Sequence, residues 1–139
     1  MEQSYKRGDI RNESYAKQIN AFSGLLRRRG ITPTDIDGLI DYNGKAFVIL
    51  EGKFGNTTLP MGQRMALENI ANAIQDGGRK VIVMVFRHNI PTEQSIDVSN
   101  QNVSDYYYNY KWQKPCEEIK VLDAVVKFEQ FCENRDIVL

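Results

Sequence analysis

The chain has 139 residues, room for one domain with a substantial core, and its 42 % hydrophobic and 26 % charged content is ordinary for a globular protein. Lys plus Arg equal Asp plus Glu at 18 each, which excludes a strongly basic nucleic-acid coat but leaves room for a local positive strip beside an acidic metal site. No zinc-type Cys/His cluster, leader-like opening or apolar run of membrane length is present, the longest run being Val81–Phe86, so a cytoplasmic protein with no membrane contact is expected.

Residues Met1–Asp9 are polar. Asn12–Arg29 reads as a helix, because Tyr15, Ile19, Phe22, Leu25 and Leu26 recur at helical spacing and Gly30 then ends it. Two strands are expected next, Asp35–Asp41 and Lys45–Lys53, joined by the hairpin signal Asn43-Gly44. Gly62–Gln75 reads as a second helix ended by Asp76-Gly77-Gly78. Arg79–Arg87 is apolar without alternation from Val81 to Phe86, as in a strand covered on both faces. Ile90–Ser104 is loop-like, Asp105–Trp112 reads as a short strand, and Glu117–Glu133 as a closing helix. Cys116 and Cys132 stand at opposite ends of that helix and are poorly placed for a bridge. The expectation is one α/β domain spanning 1–139, a mixed central sheet flanked by helices in the order α-β-β-α-β-β-α. Its core would span about residues 12–88, with a C-terminal strand and helix over 105–133.

The chemistry-bearing segment is Asp35-Ile36-Asp37-Gly38 followed by Val48-Ile49-Leu50-Glu51-Gly52-Lys53. Glu51 and Lys53 are two apart on a strand and so share a face. A carboxylate and a lysine together at the end of an apolar strand suit phosphodiester hydrolysis. A hard cation takes oxygen ligands, polarises the phosphoryl oxygen and acidifies water, and a nearby ammonium neutralises charge growing on phosphorus. At an exposed strand end the same pair would be a surface ion pair of little energetic weight, and the preceding apolar run argues against that.

Hairpin register decides whether Asp37 can join. A two-residue Asn43-Gly44 loop pairs Tyr42 with Lys45 and sets Asp37 against Leu50, on the wrong face. A three-residue loop, Tyr42-Asn43-Gly44 with Gly44 left-handed, sets Asp37 against Ile49, diagonal to Glu51, and places Asp35 directly across from Glu51. The function requires a bulged loop, and Asp35 stays open as an alternative to Asp37.

Asp37 followed by Glu51-Gly52-Lys53 at the end of an apolar strand resembles the PD-(D/E)XK nuclease superfamily, which includes restriction enzymes, Holliday junction resolvases and small phage VRR-NUC domains. The resemblance covers Asn12 to Arg87 and implies a restriction-endonuclease-like core. It implies that Asp37, Glu51 and the Gly52 carbonyl hold Mg²⁺ or Mn²⁺, that Lys53 is the catalytic lysine, and that Gln63 at the next helix start serves the site. The family's first-helix glutamate would be Glu13, with Gln18 better oriented but not acidic, and Ile36 stands where the family often has proline.

The resulting expectation is a metal-dependent DNA endonuclease, selective for branched or junction DNA and working as a homodimer. The alternative is a catalytically inactive member of the same fold that binds nucleic acid or protein, and a further one is a subunit active only in a larger complex. Tyr106, Tyr108, Tyr110 and Trp112 fall on one strand face by alternation, a surface for packing or for the dimer partner more than for base stacking. Arg27–Arg29 read as a solvated helix end rather than a phosphate clamp, and His88, the single histidine, has no triad partners.

Overall fold

A computed structural model of the chain describes Gln18 and residues 21–139. Up to Pro33 the described residues carry two single 3-10 turns, Ser23–Leu25 and Arg28–Gly30. The start of the expected helix Asn12–Arg29 lies outside the described residues, but its last third is not α-helical. Arg29 (φ 61°) and Gly30 (φ 73°) both adopt left-handed backbone, and Phe22, Leu25 and Leu26 are exposed. An apolar stripe without packing gives a helix little support, and Gly24 in its middle weakens it further.

Residues 34–139 form a compact unit. It is an α/β fold with a five-stranded mixed sheet and two α-helices. In chain order these are β1 (Gly38–Asp41), β2 (Ala46–Phe54), α1 (Met61–Asp76), β3 (Lys80–His88), β4 (Asn102–Tyr108), β5 (Lys111–Gln113) and α2 (Val121–Glu133). The strands lie in sequence order, and only β2 and β3 run parallel, with α1 as the crossover that a parallel pair requires.

The faces of the sheet follow residue parity. Phe47 and Ile49 of β2 and Val81 and Val83 of β3 pack with Leu67, Ala71 and Ile74 of α1. Ala46, Val48 and Leu50, with Met84 and Phe86, pack with Val121, Phe128 and Cys132 of α2. Both central strands are therefore covered on two sides, which is why they read as unbroken apolar runs.

Further elements differ from expectation: β1 begins at Gly38 rather than Asp35, and β4 begins at Asn102, inside the expected loop Ile90–Ser104. The single strand Asp105–Trp112 is a β4–β5 hairpin turning at Asn109 (φ 52°) and Tyr110 (φ 69°). Tyr107 and Trp112 become cross-strand partners against α1, with ring centroids 5.2 Å apart, while Tyr108 meets Phe131 of α2 at 5.5 Å. The one-faced aromatic stripe through Tyr106, Tyr108, Tyr110 and Trp112 does not form. Helix α2 also begins at Val121 rather than Glu117, because the backbone before it pairs with β4: the Val103 N–H donates to Ile119 and the Val121 N–H to Gln101, both at 2.9 Å. Cys132 is buried, Cys116 is exposed, and both are free thiols. Among the described residues no helix is long and apolar enough to cross a membrane.

Candidate active site

The β1–β2 turn sets the site. The Lys45 N–H donates to the Tyr42 carbonyl at 3.1 Å and the Tyr42 N–H to the Ala46 carbonyl at 3.0 Å, so Lys45 is the extra residue. Asn43 (φ 55°) and Gly44 (φ 78°) take the left-handed conformations of the turn, and the Asp41 carboxylate accepts the Gly44 N–H at 2.7 Å. The loop is thus Asn43-Gly44-Lys45, one residue later than the expected bulged loop. Gly38 pairs with Leu50 and Leu39 with Ile49. Continuing that register by one residue sets Asp37 directly opposite Glu51, on the α1 face. Asp35 falls beyond it and is exposed.

Glu51 is the one charged residue buried among those described, at 2 % exposure. Its Oε1 accepts from Gln63 Nε2 at 2.7 Å and lies 3.2 Å from Lys53 Nζ. Its Oε2 is buried with no partner. Asp37 Oδ2 accepts the Gly52 N–H at 2.8 Å, which ties the short edge strand's entry to the end of β2. Burial pushes the Glu51 carboxyl above its ordinary range, and the negative charge of Asp37 pushes it further, against the pull of Lys53 and Gln63.

Gly52 is required by close packing. A Cβ there would stand 2.6 Å and 2.7 Å from two ring atoms of Phe86, its partner on β3. The ring fills the space under the strand end and excludes any larger residue between Glu51 and Lys53.

Beside Lys53 in the parallel register stands Arg87, and beside Glu51 stands Val85. Val85 in turn opposes Asp105 of β4, with Ser104 bulged out between the pairs Val85–Asp105 and Phe86–Val103. Asp105 accepts from Lys114 Nζ at 2.9 Å and from Ser104 Oγ at 2.8 Å. A row of charged side chains therefore crosses the α1 face at the end of the sheet.

The structure brings together Asp37, Glu51, Gly52, Lys53 and Gln63. Glu13 lies outside the described residues, and Gln18 is an exposed turn residue of the preceding unit. Arg87 was not anticipated. It ends an apolar strand, and only the parallel β2–β3 register sets it beside Lys53.

Among the described residues no group of three or more His, Cys, Asp and Glu side chains converges. The Asp37–Glu51 pair falls short of a closed zinc site and suits a hard cation that takes one or two carboxylates and keeps water and phosphate as its other ligands. The partnerless Glu51 Oε2 fits that use, since a buried carboxylate oxygen without a partner is unfavourable by roughly 1–3 kcal/mol or more. No protein-family model, curated protein or solved structure matches this chain.

Proposed function

We propose that the chain is a metal-dependent nuclease of the PD-(D/E)XK kind, hydrolysing DNA phosphodiester bonds with Mg²⁺ or Mn²⁺. The observation that carries the reading is the buried Glu51 carboxylate, one oxygen held by Gln63 and Lys53 and the other partnerless, set opposite Asp37 at the end of a core strand.

Glu51 and Asp37 would hold the metal, with the Gly52 carbonyl as a further ligand. When bound, the metal supplies Lewis acidity toward a phosphoryl oxygen and an acidified water. The rest falls to the chain's own residues. Gln63 fixes the Glu51 rotamer by holding Oε1 and leaves Oε2 for the metal. The Gly52 N–H fixes Asp37 in the same way. Lys53, 17 % exposed, keeps its ammonium beside the carboxylate and open to a phosphate, where it orients water and neutralises charge growing on phosphorus. Branched or junction DNA is the preferred substrate class, because a fold this small carries no evident sequence-reading element.

The test is cleavage of linear, flapped and four-way DNA, with Mg²⁺, with Mn²⁺ and with chelator. Metal-dependent cutting lost in Glu51→Gln supports the reading. Binding of the same DNA without cutting under any metal would transfer the site to an inactive binding module.

A further inference from the structure

We infer that Arg87 is a positioning residue: its guanidinium ties the turn after β2 to the sheet and so keeps Gln63, ten residues beyond Lys53, against Glu51. What that site does rests on the nuclease reading; the tie itself does not.

Lys53 and Arg87 are partners across the parallel β2–β3 pair and leave the sheet on one face. Their surroundings differ. Lys53 is engaged with Glu51. Arg87 makes no ion pair among the described residues. Its Nε donates to Ser104 Oγ at 3.3 Å, and its Nη1 donates to the Gly55 carbonyl at 3.5 Å and to the Thr57 carbonyl. The guanidinium thus spans from the bulge of β4 to the turn that leads from Lys53 into α1. The same turn is bonded by the Gly55 N–H to His88 at 2.8 Å and by the Thr57 N–H to Phe54 at 3.1 Å. Gly55 directly follows β2 and His88 ends β3, so among the described residues the side-chain hydrogen bonds to this turn come from Arg87 and reach as far as Thr57, beyond which Leu59 packs on the α1 cluster.

The bulge at Ser104 makes the span possible. It lets Ser104 Oγ accept from Arg87 while its single proton is shared between Asp105 at 2.8 Å and the Val85 carbonyl at 3.3 Å. Bulges of this kind re-aim side chains beside functional sites. A planar fork with donors on both sides suits the task, and a lysine has the charge without the span.

The experiment compares Arg87→Lys and Arg87→Met with wild type in the full chain. Amide hydrogen exchange over residues 55–63 should rise about tenfold or more in both, the loss expected for hydrogen bonds to a charged group, while β2 and β3 amides keep their protection. On DNA with Mg²⁺, kcat should fall about tenfold in Arg87→Lys with KM changed less than about twofold. A direct phosphate contact would instead appear in KM and be rescued by lysine. Unchanged exchange over 55–63, or exchange raised equally through β2 and β3, overturns the inference, as does full activity in Arg87→Lys. Absence of cleavage in wild type would remove the nuclease reading and leave the exchange result to decide the tie.

Discussion

Replacing Gly52 with alanine tests whether the site depends on its packing as well as on its charges. The added Cβ would sit 2.6–2.7 Å from the Phe86 ring, whereas real Cβ contacts essentially never fall under 3.0 Å and are ordinary only from 3.4 Å. Phe86 is 4 % exposed and packed in the cluster facing α2, so its ring cannot retreat freely. Overpacking of this sort costs about 1–3 kcal/mol. Alanine also restricts the unfolded chain and returns about 0.4–1 kcal/mol, which from the middle of both ranges leaves a net loss of about 1.3 kcal/mol. For a domain of this size that lowers Tm by about 3–8 °C. The backbone shift falls on the residue whose N–H holds Asp37, so cleavage should fall more steeply than stability. The assay is thermal unfolding and single-turnover cleavage of Gly52→Ala, Phe86→Leu and the double variant. Phe86→Leu alone should lose stability by leaving space, and the double variant should recover part of what each single change loses. Gly52→Ala at wild-type Tm and rate, or a double variant whose losses simply add, would refute the steric account.

Three further outcomes follow from the same geometry. Because burial and Asp37 raise the Glu51 carboxyl, the folded state binds a proton that the unfolded chain has released, and the penalty is full only above the raised value. Glu51→Gln should therefore melt above wild type at about pH 7, with the gain shrinking as pH falls toward the ordinary glutamate value of about 4.3, and should lose cleavage by about a thousandfold; equal pH profiles of Tm would contradict the raised value. Lys53→Ala should cut the single-turnover rate by about 10²–10³-fold while DNA binding in Ca²⁺ changes little, whereas a salt slope lower by about one would make Lys53 a phosphate anchor. Gly44→Ala meets open space, so its loss of about 1–2 kcal/mol is backbone strain at φ +78° alone, read as a lower Tm with cleavage retained; an unchanged Tm would count against the turn geometry.

Local chemistry along the chain determined much of this protein. The apolar run Val81–Phe86 read as a doubly covered strand and Val48–Leu50 as a strand through the core, and the Glu51-Gly52-Lys53 spacing puts carboxylate and ammonium on one face of that strand. The Asn43-Gly44 pair marked the hairpin. The tertiary structure decided what depends on partners distant in sequence. Where the extra loop residue falls, at Lys45 rather than Tyr42, set Asp37 rather than Asp35 across from Glu51, because pairing register is settled by which side chains the whole sheet buries. The tyrosine run read as one strand by alternation, but it folds back at Asn109-Tyr110 because Trp112 gains both the Tyr107 ring and the Glu68 carboxylate, 2.6 Å from its indole N–H. Residues 117–120 were expected to open the helix, but the backbone at Ile119–Val121 instead pairs with Gln101–Val103. The neighbour of Lys53 was illegible for the same reason: a parallel pair is joined through a whole helix, and nothing in the local pattern of either strand states that Arg87 will stand beside it.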